Sequence, residues 1–471
     1  MPPEINLFDF PRGSVTAPAG CGKTQLIADT LAQHRDPKPV LVLTHTNAGV
    51  AALRNRLKRA GIPGRSYDIA TLDGFCIRII SKFPMRSGHD PAILLLLDRR
   101  NDYPAIRAAA GNLLSAGHIS GVLKATYSRL IVDEYQDCNQ AQHVIVAWLG
   151  QSLPTYVLGD PMQAIFGFAG NRLVDWQTEV QPHFPAIGGL NTPWRWRRVG
   201  REDIGNWLLQ ARERLVAGHA VDLRGAPVGV QWIQTAPATA EQQRRNAAMV
   251  RVQDGENVLI IGDPINANSR YRLTSQVPGA TVVENVELTD LVTFSRGFNP
   301  GVAGATELLV RFAASLMTGV GPAALLPRIQ TILNGRSRTA PSPLEHATVA
   351  YAQAPSLSKA ADLLEHYVRL QETHLYRPEM LRCCVAALRM AMSGTHTFHQ
   401  AVVQIRDKAR FSGRPLNRRA VGSTLLLKGL EADVAVILEP QGMDARHLYV
   451  ALTRGAKKIL VCSGTPILQP A

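Results

Sequence analysis

The first half of the chain alternates short β-favouring runs with helical patterns, and this alternation restricts the fold more than any other feature of the sequence. VLVLTHT (40–46) leads into AGVAALRNRLKRAG, RLIVDEY (129–135) into QAQHVIVAWLG, and TYVLGD (155–160) closes on a turn. Strands separated by helices predict a parallel sheet covered on both faces, with ligands bound at the carboxyl ends of its strands. A second β-rich series starts near Val228 with VGVQWIQT, NVLIIGD and TVVENVEL, resumes at STLLL and DVAVILEP, and closes with KKILVCSG. Two stretches break the rhythm. Residues 81–128 read as an apolar helical insertion punctuated by Pro91 and Pro104, and residues 297–412 read as mostly helical. The fold class expected is therefore α/β, with two similar cores that each carry a mainly helical insertion.

Length agrees with that count, since 471 residues exceed what a single hydrophobic core serves. The formal net charge of +14 favours a polyanionic partner. The excess is spread over clusters at 54–59, 195–201 and 414–419, as a basic groove assembled from several segments requires. Six cysteines without CxxC pairs predict neither a zinc site nor a disulfide framework, and a reducing cytoplasm is expected. The N-terminal MPPEINLFDFPRG lacks a basic region followed by an apolar core, so no secretory signal is expected. The longest uncharged stretch, FAASLMTGVGPAALLP (312–327), is too short for a membrane span and reads as buried helix and turn.

Two segments carry chemistry. In APAGCGKT, Ala17 stands at the first glycine of the plain phosphate-loop pattern, while Gly20, Gly22, Lys23 and Thr24 are in place. The glycines let backbone N–H groups close on phosphate oxygens, Lys23 reaches the β- and γ-phosphates, and Thr24 offers a hydroxyl to Mg²⁺. In RLIVDEYQDCNQ, a hydrophobic strand delivers Asp133 and Glu134 side by side at its carboxyl end. One carboxylate there holds Mg²⁺ and the next orients and deprotonates an attacking water. His34, His118, His143 and His447 show no ligand pattern.

The blocks APAGCGKT, LTHTNAGVAALRNRL, ATLDGFC, IVDEYQD, LGDPMQAIFGFAG, PWRW, LKGLEADV and LYVALTR occur in the order of the motifs of the UvrD/Rep-like superfamily 1 helicases, which the chain resembles in a compact form. The resemblance implies two RecA-like P-loop cores that clamp ATP and Mg²⁺ and move on single-stranded DNA, usually 3′ to 5′. It divides the chain into core 1A (1–80 and 129–188) with insertion 1B (81–128), and core 2A (189–296 and 413–471) with insertion 2B (297–412). It implies ATP contacts from Ala19, Gly20, Cys21, Gly22, Lys23, Thr24 and Gln25. Gln163 would sense the γ-phosphate, Arg195 would reach ATP from the second core, and Arg454 would be the arginine finger. Trp194 would lie against adenine and Glu431 against the ribose. Single-stranded DNA would be met by Thr44, His45, Thr46, Asn47, Thr71 and Trp196, with Phe166 and Phe168 as stacking platforms that read no sequence.

Departures from the family pattern bear on specificity and coupling. No LNxxQ segment precedes the phosphate loop, and Gln25 stands where an arginine often follows GKT, which leaves the choice of nucleotide open. Ala169 replaces the arginine of the usual FRG triplet, and Leu425 replaces a histidine near KGLE. Short insertions leave less surface for duplex, so a DNA-stimulated translocase with little unwinding stands beside a helicase. A P-loop small-molecule phosphotransferase and a non-catalytic nucleic-acid scaffold are the remaining alternatives. A monomer in a bacterial or phage-infected cytoplasm is expected, with single-stranded DNA, DNA junctions and replication or repair proteins as partners and no membrane. The pathway is not readable.

Overall fold

The computed structural model describes residues 5–167, 171–409 and 417–471. Its first sheet contains β1 (Arg12–Thr16), β2 (Val40–Thr44), β3 (Tyr67–Thr71), β4 (Arg129–Val132), β5 (Thr155–Gly159) and β6 (Ala186–Gly189), in the order β3-β2-β4-β5-β1-β6 with parallel pairings throughout. Alternation along each strand explains the two covered faces. Leu41, Leu43, Leu130, Val132 and Val157 face a core with Phe75, Ile106, Leu113 and Ile145. Val40, Val42, Ile131, Tyr156 and Leu158 face a second core with Leu26, Ile27, Leu53 and Leu57.

The remaining strands are β7 (Val221–Asp222), β8 (Val230–Gln234), β9 (Val258–Ile261), β10 (Ala280–Val282), β11 (Met317–Thr318), β12 (His374–Leu375), β13 (Arg419–Gly422), β14 (Ala432–Ile437), β15 (Gly455–Ser463) and β16 (Ile467–Leu468). Six of them form a second sheet in the order β10-β13-β9-β14-β15-β8, in which β10–β13, β13–β9, β9–β14 and β15–β8 are parallel. β7 pairs with β16 and β11 with β12 in antiparallel ribbons. Two six-stranded sheets flanked by helices are the expected pair of RecA-like α/β cores.

Packing separates the chain into two units, Met1–Gly229 with Gly442–Lys457 and Ile467–Ala471, and Val230–Gln441 with Lys458–Pro466. Residues 189–229 and 442–457, expected with the second core, thus pack with the first sheet. The helix Arg99–Ser115 contains Pro104 and buries Ile106, Ala110 and Leu113 in the core of the first unit. In the second unit, six helices between Ala305–Ala314 and Phe398–Ala409 share one core. Phe294 stacks on Phe312 there at 4.0 Å between ring centroids.

One β expectation is overturned. STLLL is not a strand: β13 ends just before it, and Thr424–Leu427 is a helical turn whose N-cap is Ser423. The serine hydroxyl accepts from Leu426 N, and a leucine run has no β-branched preference to oppose the turn. Likewise TVVENVEL contributes only its first residues to β10. Among the described residues no helix is long and apolar enough to cross a membrane, and all six cysteines are buried free thiols.

Candidate nucleotide site

β4, β5 and β1 are neighbours in the first sheet, so their carboxyl ends bring three loops to one edge. From β1 comes the phosphate loop. Gly20 and Gly22 take left-handed φ values of 71° and 93°, and the helix Lys23–Ala32 starts immediately after them. From β4 come Asp133 and Glu134. Lys23 Nζ lies 3.0 Å from Asp133 Oδ1 and 2.5 Å from Glu134 Oε1. Burial works against the Lys23 ammonium, but the two carboxylates overcome it and hold its pKa above the usual lysine value. Burial pushes the Asp133 carboxyl up, and Lys23 opposes it.

Glu134 is one of three non-glycine residues at positive φ among the described residues, at 55°. Holding a β-carbon there costs roughly 1–2 kcal/mol. The side chain remains 37% exposed while the neighbouring Lys23 and Asp133 are 12% exposed.

From β5 comes Asp160, fully buried, whose Oδ2 accepts from Gln163 Nε2 at 3.1 Å. Gln136, 1% exposed, joins this loop to the one after β4. Its Nε2 donates to Glu134 Oε2 at 2.6 Å and its Oε1 accepts from Asp160 N at 3.1 Å. A β-carbon at Gly159 would lie 2.5 Å from Gln136 Oε1, so the join needs glycine there.

Two further segments of the same unit close on the phosphate loop. Arg195 N donates to Gly20 O at 3.1 Å. A β-carbon at Gly20 would lie 2.5 Å from the Trp196 ring, and one at Gly22 3.0 Å from the Trp194 ring. The other segment is the helix Ala445–Leu452. Tyr449 Oη accepts from Ala19 N at 3.0 Å, and burial holds that phenol well above its usual pKa. Arg195 also donates to Thr453 O at 2.6 Å.

The structure therefore gathers Ala19, Gly20, Cys21, Gly22, Lys23, Thr24, Asp133, Glu134, Trp194 and Arg195 around one loop, with Gln163 linked through Asp160. Gln25 is anchored elsewhere: Arg56 donates to its Oε1, and its Nε2 donates to Asp29. Arg454 is 2% exposed and donates to Val450 O and Thr453 Oγ1, at the end of its own helix. Glu431 lies in the second unit, exposed, just before β14.

The residues expected at single-stranded DNA divide differently. Thr44 and Thr71 are register partners at the carboxyl ends of β2 and β3. Thr46 and Thr71 each cap a following helix, accepting from Gly49 N and Gly74 N. Asn47 opens the first of these helices. His45 Nε2 is 3.3 Å from Cys138 Sγ, and Phe166 is half-buried. Thr44 is 2% exposed, which withdraws its hydroxyl from the surface. Trp196 requires correction: at 1% exposure, with Nε1 donating to Gly455 O at 3.0 Å, it packs under the phosphate loop and offers no face to a base. Phe168 and Ala169 lie outside the described residues.

Sequence reasoning gave no role to Gln136, Asp160 and Tyr449, although all three stand inside the quoted motif blocks. Their neighbours carried the recognised chemistry, and only the hydrogen bonds reveal what these three do.

For ATP and Mg²⁺ the donor set fits. Left-handed glycines free the loop's backbone, a helix N-terminus and Lys23 supply positive charge, and Thr24 with Asp133 offers hydroxyl and carboxylate oxygen to a hard cation. Fold and site together define a P-loop NTPase of RecA-like architecture. The model of the UvrD/REP helicase N-terminal domain matches residues 12–110 and 101–178. An ATP-dependent helicase/nuclease subunit from Desulforamulus reducens (strain ATCC BAA-1160 / DSM 100696 / MI-1) is 26% identical over 188 residues, 35% of this chain and 14% of that protein. The chain thus spans a small part of that relative's length. A solved complex of the arterivirus nonstructural protein 10 (helicase) with DNA aligns over 96% of this chain and 60% of its own, at 9% identity and a TM-score of 0.36. Residues 12–178 are thus similar to the N-terminal domain of UvrD/REP helicases, and the curated relative is itself a helicase/nuclease subunit.

Proposed function

We propose that the chain hydrolyses ATP with Mg²⁺ and uses the cycle to move along single-stranded DNA, 3′ to 5′, as a monomer in the cytoplasm. The observation that carries the reading is the Lys23 ammonium between Asp133 and Glu134, on a loop covered by Trp194–Trp196 and Tyr449. ATP and Mg²⁺, when bound, would supply the phosphoryl group to be transferred and a hard cation's charge beside it. Lys23 is the cation for the phosphate oxygens, and Thr24 and Asp133 are the oxygen donors for the metal. Glu134, half-buried and at positive φ, takes the proton of the attacking water at its carboxylate. Arg195 and Arg454 stabilise the charge that develops, Arg454 after leaving its bonds to Val450 and Thr453. We read the helices of 81–128 and 297–412 as the two insertions, Glu431 as the ribose contact, and Thr46, Asn47, Thr71 and Phe166 as the strand-facing residues.

A second reading, translocation with little unwinding, is favoured by the commitment of the helix Arg99–Ser115 to the core of its own unit, which withdraws much of the insertion from duplex. ATP turnover with and without single-stranded DNA tests the main reading. Stimulation by the strand supports it. Phosphate transfer to a metabolite, or no turnover in either condition, rejects it. Displacement of a labelled strand from a forked duplex then separates helicase from translocase.

A further inference from the structure

The helix Glu202–Val216 follows the Trp194–Arg197 segment and lies outside every motif block, yet it sends one side chain into the catalytic loops. Arg212 donates to Asp160 Oδ1 through Nε at 3.2 Å and its terminal nitrogen at 2.9 Å. Asp160 is 0% exposed and the Arg212 side chain 17%. A carboxylate so deeply buried requires a paired cation and filled lone pairs. Arg212 is the cation, while Met162 N and Gln163 Nε2 fill the remaining positions.

The chain of bonds continues to the reacting groups. Asp160 caps the turn Pro161–Gln163 with its carboxylate, which fixes the peptide whose N–H points at Gln136 Oε1. Gln136 has a single consistent orientation, because its oxygen faces an N–H and its nitrogen faces a carboxylate. That nitrogen holds Glu134 Oε2 at 2.6 Å. One guanidinium thereby sets Gln163 through Asp160 alone and Glu134 through Asp160 and Gln136.

We propose that Arg212 is a positioning residue for ATP hydrolysis, acting through Asp160 and Gln136 on the carboxylate of Glu134 and through Asp160 on Gln163. The proposal rests on the reading of Lys23 and Glu134 given above. It assigns Arg212 no contact with nucleotide, so the residue should influence turnover far more than nucleotide affinity.

The test compares wild type, Arg212→Met, Arg212→Lys, Asp160→Asn and the double variant Arg212→Met/Asp160→Asn in ATP turnover with single-stranded DNA present. Affinity for a fluorescent ATP analogue and thermal melting are measured on the same samples. Arg212→Met should lower kcat roughly 10- to 100-fold, the usual effect of losing an outer partner of a catalytic ligand, with KM and analogue affinity within about threefold of wild type. Arg212→Lys, which keeps the charge but loses the fork, should recover part of kcat. The double variant should be no slower than Arg212→Met, since the unpaired carboxylate is then gone. Arg212→Met with wild-type kcat overturns the proposal. So does a Lys variant that melts as wild type yet turns over no faster than the Met variant. If wild type itself has no ATP turnover, the function proposal fails first and this inference falls with it.

Discussion

Gly20 shows how closely the phosphate loop is packed. With φ at 71° and a β-carbon position 2.5 Å from the Trp196 ring, it tolerates no side chain without moving a fully buried indole. Gly20→Ala should therefore destabilise the fold by about 1–3 kcal/mol, read as a lower denaturant midpoint, and weaken nucleotide binding. An unchanged midpoint would show that the indole yields freely. Lys23→Ala removes the cation facing phosphate and should cut turnover roughly 100- to 1000-fold. Glu134→Gln should keep nucleotide affinity but stall hydrolysis. Normal turnover in either variant refutes its assigned role. These residues were readable in the sequence because glycine spacing, a lysine and paired acids at a strand end have few other uses. Trp196 was not: WRW gives two indoles equal standing, and only packing turns one under the loop. Arg212 carried no signal, because an arginine on an amphipathic helix is ordinarily solvated.

The helix Ala445–Leu452 is the element on which several contacts depend, since it carries Tyr449 to Ala19 and ends at Thr453 and Arg454. Asp444 caps it, with Oδ1 accepting from His447 N at 2.8 Å and meeting His447 Nδ1 at 3.0 Å. The His447 side chain, then the backbone N–H bonds, depress the Asp444 pKa from 3.8 to about 2, against the opposing effect of burial. A depressed carboxylate pKa means that this contribution is complete above 3.8 and disappears as pH falls through about 2. Asp444→Asn should flatten the stability of the protein across that acid window, followed by circular dichroism. Asp444→Ala should cost about 1 kcal/mol at neutral pH. Strands were the most readable elements, since β2 and β9 are continuous apolar runs with both faces buried. The exception, STLLL, failed because a serine cap outweighs an apolar run of only three leucines.

At the level of whole units, the helical part of the second unit is tied to its sheet by buried charge. Arg377 and Glu284, each 2% exposed, meet at 2.6 Å just beyond β10, with Asp290 at 2.8 Å and the Tyr271 ring 4.1 Å from the guanidinium carbon. Arg377→Met should destabilise the second unit by about 3–5 kcal/mol, because it leaves Glu284 buried without its cation. Calorimetry of wild type and variant measures this, and a loss below about 1 kcal/mol would mean that water reaches Glu284. The two-core architecture followed from alternation and length, whereas the path of the chain between units did not, because no local pattern records which sheet a returning helix will join. That path has a consequence for synthesis. The first unit is interrupted after Gly229 and regains the chain at Gly442. At a ribosomal pace of ~5–20 residues per second, the nascent protein waits roughly 10 to 40 s between these points. Throughout that interval Ala19 lacks its tyrosine and Arg195 its carbonyl, so the loop around Lys23 is completed only after the second unit's main segment has been made.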